Sequence, residues 1–290
     1  MIRVLVLGAN GMLGSMLTRV FQEDSSLEVV TTSRSADRGS LPFDVAVDSL
    51  EELLARAQSD WVVNAVGILA RRIDQDDPVS VASAIEVNAV FPNRLAAATA
   101  KSQRVINFST DGLFSGRRGP YDERAFRDED GVYARSKALG EPRARHVTNL
   151  RCSIIGLEPP PGASLLGWAL AQPAGHAITG YDNHLWNGLT TLHLARICSA
   201  VVHGMVPDLP TILHLVPADA VSKAELLSRA LVSFGRSDVV VRPEPAAVAV
   251  DRRLCTVYPA VNEHLWAAAG YPEPPRIADM VSELATMYVS

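Results

Sequence analysis

Apolar residues in the first half of the chain come in short β-branched runs set between longer stretches of helical spacing. Ile2 to Leu7 is such a run and predicts a buried strand. After it, Met12, Leu13, Met16, Leu17, Val20 and Phe21 recur at intervals of one helical turn, which predicts a helix from Met12 to Gln22. The same alternation predicts strands at Leu27 to Thr32, Trp61 to Ala65, Arg104 to Ser109 and Asn149 to Ile155. Between them it predicts helices at Leu50 to Gln58, Ser80 to Lys101 and Gly131 to Val147. Strands alternating with helices lie side by side in parallel and bury both faces, so the expected fold is α/β, a Rossmann-like doubly wound parallel sheet.

The texture changes after Gly156. Pro159, Pro160 and Pro161 stand in a row, and proline continues neither a helix nor a central strand. A Gly-rich, Trp-containing segment follows to about Gly188. Thr190 to His203 then predicts a helix, Thr211 to Val216 a strand and Ser222 to Phe234 a helix, so the chain is expected to rejoin the sheet before it ends. This predicts two interleaved units: residues 1–156 plus 189–217 as the larger, and 157–188 plus 218–290 as a smaller lobe. No internal repeat or low-complexity tail is present.

Composition narrows the function classes. Of 290 residues 48% are hydrophobic and 20% charged, and the net charge of -5 implies no broad basic face, so nucleic acid is not an expected partner. Cys152, Cys198 and Cys255 lie far apart, with neither metal-ligand spacing nor an even count for disulfides, which predicts no metal site and a reducing, cytoplasmic setting. The start MIRVLVLGANG reaches glycine too soon for a signal peptide, and no apolar run is long enough to cross a bilayer. Neither export nor a membrane partner is expected.

GANGMLG, residues 8–14, ends the first strand and opens the first helix. A helix N-terminus carries unpaired N–H groups and a partial positive charge, so a pyrophosphate can sit there if the backbone comes close, as Gly8, Gly11 and Gly14 allow. Asn10, Met12 and Leu13 complete the candidate turn. The spacing is GxxGxxG, with the middle glycine one residue later than in the commonest dinucleotide fingerprint; a tight turn without ligand is the alternative reading. At the end of the second strand an NAD site would place an acid, whereas this chain has Ser33 and Arg34, and a guanidinium suits a 2′-phosphate. NADP(H) is therefore preferred, with NAD(H) admitted if Arg34 is only a solvated loop residue. Asp48 is a candidate adenine contact or, equally, the N-cap of the helix at Leu50. NAVG, residues 64–67, brings Ala65, Val66 and Gly67 to the end of the third strand, where the glycine leaves room for a cofactor. Asn88 is a further candidate contact, although a polar side chain in mid-helix facing a sheet more often bridges to a strand.

VYARSKALGE, residues 132–141, holds the strongest signal. The chain has 24 arginines and only 3 lysines, yet places Lys137 four positions after Tyr133, on the same helical face. Lowering a tyrosine pKa from about 10 to about 7 takes roughly 4 kcal/mol. A unit positive charge about 4 Å away, at an effective dielectric near 20, supplies that order of energy. The pair is thus a candidate proton-transfer device, against the alternative of two surface neighbours. Ahead of it NFSTDGLFSG, residues 107–116, brings Ser109, Thr110 and Asp111 to the end of a strand, where ligands bind in open α/β sheets; a plain turn cap is the competing reading.

In order, GANGMLG, NAVG, STDGLFSG and YARSK resemble the extended short-chain dehydrogenase/reductase superfamily. FSTDGLFSGRRGPYDE followed by VYARSKALGE is similar to its dTDP-4-dehydrorhamnose reductase branch, the nucleotide-sugar 4-ketoreductases, and LRCSIIG with NHLWNGLTTLHLA to a polysaccharide-biosynthesis subgroup of it. The resemblance implies that Tyr133 donates a proton to the nascent alkoxide, that Lys137 tunes Tyr133 and holds the nicotinamide ribose, and that Thr110 hydrogen-bonds the ketone oxygen. It implies a nucleotide-sugar substrate touching Thr110, Asp111 and Tyr133; in the small lobe Trp186, taken as a substrate contact, and Trp168, His184 and Asn187 are candidates to touch sugar or base, each of which packing alone explains better. It is compatible with a homodimer. The branch tends to carry aromatics where this chain has Gly112 and Ile154, which leaves the sugar open. An epimerase of the same fold and a noncatalytic NADP-binding regulatory subunit are the alternatives; an intact Thr, Tyr and Lys set argues for catalysis. Dehydratases tend to place an acidic pair after the threonine, and here glycine follows Asp111.

Overall fold

The computed structural model describes residues 1–34, 39–99, 103–159 and 164–289. The expectations at Lys101, Pro160 and Pro161 concern positions outside these residues.

Seven strands form the main sheet: β1 (Ile2–Leu7), β2 (Leu27–Ser33), β3 (Leu41–Pro42), β4 (Trp61–Asn64), β5 (Arg104–Ser109), β6 (Val147–Arg151) and, after a long excursion, β11 (Ile212–His214). Their order is β11-β6-β5-β4-β1-β2-β3, and every pairing is parallel. Such a sheet must be covered twice, and alternation along one strand shows how. Val4 and Val6 enter one core with Leu13, Leu17 and Phe21 of helix α1 (Met12–Gln22), whereas Leu5 and Leu7 enter another with Leu50, Leu53 and Leu54 of α2 (Leu50–Ala57). The second core also takes Leu95 of α4 (Phe91–Thr99).

Three predicted elements differ. The helix expected over Ser80 to Lys101 begins earlier, as α3 (Pro78–Ile85) capped by the Asp77 carboxylate, and reaches α4 through a π-helical turn, Glu86–Val90, that contains Asn88. The helix expected over Gly131 to Val147 is α5 (Val132–Leu139) alone. A side chain at Gly140 would stand 1.8 Å from the Asn88 carbonyl oxygen, and Pro142 follows, so neighbour contact and proline together end it. The strand expected over Asn149 to Ile155 breaks at Cys152 and Ser153: β6 joins the main sheet, while β7 (Ile154–Ile155) pairs with β10 (Leu189–Thr190).

The excursion and the C-terminal third supply α6 (Leu165–Leu170), β8 (Ala177–Tyr181), β9 (His184–Trp186), α7 (Thr191–Val202), β12 (Val221–Ser222), α8 (Lys223–Ser233), β13 (Val240–Glu244), β14 (Val250–Asp251), α9 (Pro259–Ala268) and α10 (Ile277–Val289). β8 pairs with β13, and β9 with β12 and β14, so with the β7–β10 pair three small sheets accompany the large one among the described residues. Among the described residues no helix is long and apolar enough to cross a membrane, and no cluster of His, Cys, Asp and Glu could hold a metal ion.

Candidate active site

The turns that follow β1, β4 and β5 leave the sheet along the same edge, at the strands' C-terminal ends. At the first, α1 starts at Gly11, whose backbone is extended and which has no side-chain cap, so the first-turn N–H groups are not claimed by a side chain. Gly14 packs against the turn so closely that a Cβ there would meet the Gly8 carbonyl oxygen at 2.1 Å. Asn10 and Gly11 are exposed, Met12 is half-buried, and Leu13 points into the core. The turn after β4 touches the one after β1: a Cβ on Gly8 would lie 3.1 Å from Val66 and 3.3 Å from the Ala65 backbone. An uncapped helix start flanked by close-packed glycine backbone fits a pyrophosphate.

At the end of β2, Ser33 is buried and Arg34 exposed. Asp48 is not the cap of α2. Ser49 accepts from the Glu52 N–H in that role, because its oxygen and not the Asp48 carboxylate faces the first turn, while Asp48 accepts from the Asp44 N–H at 2.6 Å. Asn88 holds the segment after β4: its Oδ1 accepts from Ile68 N–H at 2.8 Å, and its Nδ2 donates to Ile68 O at 2.9 Å and toward Ser136 of α5 at 3.3 Å. Its amide is thus occupied in joining the Gly67 loop to α5, a supporting role.

Thr110, Asp111 and Tyr133 come together on a cavity of about 390 Å³, which Gln75, Glu129 and Arg252 also line. Thr110 caps the short turn Asp111–Leu113 by accepting from Gly112 N–H at 3.0 Å, and its hydroxyl donates to Asp111 Oδ1 at 3.2 Å. It is also a hydrogen-bond partner of the Tyr133 phenol. Burial raises the Tyr133 pKa, the bond to Thr110 opposes this, and the Asp111 charge adds to it. This reverses the expectation that Lys137 makes the phenol acidic. The Lys137 ammonium donates instead to the Phe108 carbonyl oxygen at 2.7 Å, and burial lowers its own pKa to about 8, with Glu141 pulling the other way.

Behind these groups lies a buried polar layer. Asn64, Asn107 and Asn149 are register neighbours across β4, β5 and β6, and their amides form a ladder with bonds of 2.9 and 2.7 Å. Asn107 and Asn149 also donate to the carbonyls of Gly140 and Pro142, which fixes the end of α5 to the sheet. Next to it, Glu141 accepts two bonds from Arg151, of 2.6 and 2.7 Å, and one from Ser109 at 2.6 Å. Neutralisation by Arg151 and the Ser109 bond outweigh burial and hold the Glu141 carboxyl below its usual range. Ser109, expected at the cofactor, thus directs its hydroxyl into this layer.

In the small lobe the geometry differs from expectation. Trp186 is 3% exposed and belongs to the main core, packed there because β9 turns it inward. Asn187 exchanges two backbone bonds with Leu254, and His184 lies against the Val248 carbonyl. These three are packing and bracing residues, while Trp168 stays half-exposed. Glu141, Arg151, Arg252 and Lys223 were not singled out in advance. Glu141 stands four residues after Lys137, just past the end of α5, and Lys223 shares the scarcity that marked Lys137.

The sequence matches the family model described as RmlD substrate binding domain over residues 2–156. No curated protein matches it significantly. Among solved structures, a dTDP-4-dehydrorhamnose reductase from Yersinia enterocolitica superposes with a TM-score of 0.78 at 15% identity, covering 99% of this chain and 100% of that one. Its counterpart from Bacillus anthracis, in complex with NADP, gives 0.76 at 17% identity, with coverage of 99% and 100%. A dTDP-glucose 4,6-dehydratase from Bacillus anthracis, in complex with NAD, gives 0.72 at 14%, with 99% and 96%. At these identities the likeness is one of fold.

Proposed function

The chain belongs to the RmlD substrate binding domain family, and on that footing we propose that it is an NADPH-dependent oxidoreductase that reduces the 4-keto group of a nucleotide-linked hexulose. The observation that carries this reading is that Thr110 and Tyr133 line one cavity, in a fold whose first helix also starts without a side-chain cap. Relatives by fold are a reductase holding NADP and a dehydratase holding NAD.

In this reading NADPH supplies the hydride when bound, its pyrophosphate against Gly8, Gly11 and Gly14 and its 2′-phosphate near Arg34. The remaining work falls to the chain. A raised pKa keeps the Tyr133 phenol protonated at neutral pH, so the acid is loaded before the ketone arrives. Thr110 and Tyr133 then offer two O–H donors to one carbonyl oxygen and stabilise the charge that develops there. Lys137 anchors α5 to the last residues of β5 and contributes a positive charge close to the reacting region. From the C-terminal third of the chain, Arg252 lines the same cavity and supplies a cation on its substrate side. Mixing the protein with NADPH and dTDP-, UDP- and GDP-linked 4-keto sugars, while following absorbance of the reduced cofactor, tests the reading. Consumption with at least one sugar supports it; none with any of them overturns it.

A further inference from the structure

Several arginines of this chain grip both oxygens of one carboxylate with the fork formed by Nε and Nη2. Arg151 does so on Glu141, Arg236 on Asp238 and Arg253 on Asp251, with bonds of 2.6 to 2.9 Å. Arg252 is different. Its Nη2 donates to Glu129 Oε2 at 3.1 Å, but its Nε–H is buried and has no partner among the described residues. Glu129 does not fill the fork, because its other oxygen accepts from the Asp130 N–H at 3.2 Å. A buried N–H without an acceptor costs free energy, and an anion that offers two oxygens removes that cost.

Both members of the pair line the cavity that holds Thr110 and Tyr133. They come from distant parts of the chain, Glu129 from the turn before α5 and Arg252 from the residue after β14. At about 390 Å³ the cavity is small among ligand sites, so it suits the ring bearing the ketone and the group joined to that ring better than a whole nucleotide. On a nucleotide-linked sugar the anion joined to the ring is a phosphate ester, whose oxygens match the guanidinium fork. Of the lining residues Asp111, Glu129 and Arg252 carry charge, so among them Arg252 alone can hold an anion.

We propose that Glu129 is a stand-in for the sugar-linked phosphate of the substrate: its carboxylate holds the Arg252 guanidinium until the sugar binds, and then gives up that cation to the phosphate. The proposal rests on the reductase reading and deepens it, since it assigns both the group that anchors the sugar near Thr110 and Tyr133 and the residue that competes with it. A neutral sugar offers nothing to replace the ion pair it would break. A phosphorylated one exchanges a single bond for two, which makes Glu129 a specificity-determining residue.

Calorimetric titration of the NADPH-bound protein with dTDP-glucose and UDP-glucose, which carry the phosphate but no ketone to reduce, tests this. Glu129→Gln removes the competing charge and keeps an oxygen for the Asp130 N–H, so it should bind both sugars about three- to tenfold more tightly than wild type. Arg252→Met should bind them at least about tenfold more weakly, and adding Glu129→Gln to it should restore nothing. An ion pair that only braced the cavity would give the opposite sign, because breaking it would weaken binding. A gain below about threefold in Glu129→Gln, or an equal gain with Arg252→Met present, overturns the proposal. Glu129→Ser takes the place of the glutamine variant if that does not fold. Free glucuronate serves as the carboxylate control: a gain with it and none with the nucleotide sugars assigns the fork to a sugar acid and overturns the phosphate. If the nucleotide sugars bind as expected but no 4-keto sugar is reduced, the reductase reading fails and the exchange stands. If a keto sugar is reduced and Glu129→Gln binds no more tightly, the exchange alone fails.

Discussion

The Lys137 ammonium donates to the Phe108 carbonyl oxygen at 2.7 Å, and so ties the middle of α5 to the end of β5 one residue before Ser109. A buried charge held by a carbonyl dipole costs stability, and burial lowers the Lys137 pKa from 10.5 to about 8. Between these values the unfolded chain binds more protons than the folded one, so this group makes stability rise with pH over that window. Lys137→Met is expected to be at least as stable as wild type at pH 7 and to gain less between pH 8 and 10, by up to about 3 kcal/mol. Urea titrations at the two ends of the window check this, and activity should fall at least 100-fold.

Gly14 and Gly11 separate two roles within one turn. A Cβ at position 14 meets the Gly8 carbonyl oxygen at 2.1 Å, whereas at position 11 its nearest contact is 3.4 Å. Gly14→Ala should therefore unfold the turn, with a loss of several kcal/mol, while Gly11→Ala should fold normally and weaken NADPH binding. Thermal melts paired with cofactor fluorescence titrations distinguish the two.

Glu141 and Arg151 form a buried pair at the ends of β5 and β6, with Arg151 fully covered. Glu141→Ala leaves that guanidinium uncompensated and should cost about 3–5 kcal/mol. Arg151→Met combined with Glu141→Leu should recover much of the loss, measured by urea unfolding at pH 7.

Arg34 stands exposed at the end of β2, where a 2′-phosphate is expected. Arg34→Ala should raise the KM for NADPH at least tenfold and leave that for NADH within about twofold. Steady-state kinetics with both cofactors read this out.

Much of the large sheet was legible because its signals are local. The runs at Ile2–Leu7 and Arg104–Ser109 and the helix at Met12–Gln22 follow from period and propensity alone, and the structure has the same limits. What was not legible depends on neighbours distant in sequence. α5 stops at Leu139 because Gly140 is pressed against Asn88, and no pattern in residues 131–147 shows that contact. Spacing put Tyr133 and Lys137 on one helix but showed neither the burial that raises the Tyr133 pKa nor the Phe108 carbonyl that takes the ammonium. Trp186 was a candidate sugar contact for which packing was the stronger reading, and its burial in the main core agrees with packing.

The central claim is that Tyr133 and Thr110 hold a ketone oxygen while its carbon is reduced by the bound nicotinamide. The most direct measurement uses NADPH deuterated at the transferred position, with a nucleotide-linked 4-keto sugar as acceptor and mass spectrometry of the product. One deuterium at the new carbinol carbon, formed by wild type and reduced at least 100-fold in Tyr133→Phe that still binds NADPH, is the predicted result. Product without that deuterium, or an undiminished rate in Tyr133→Phe, would contradict it.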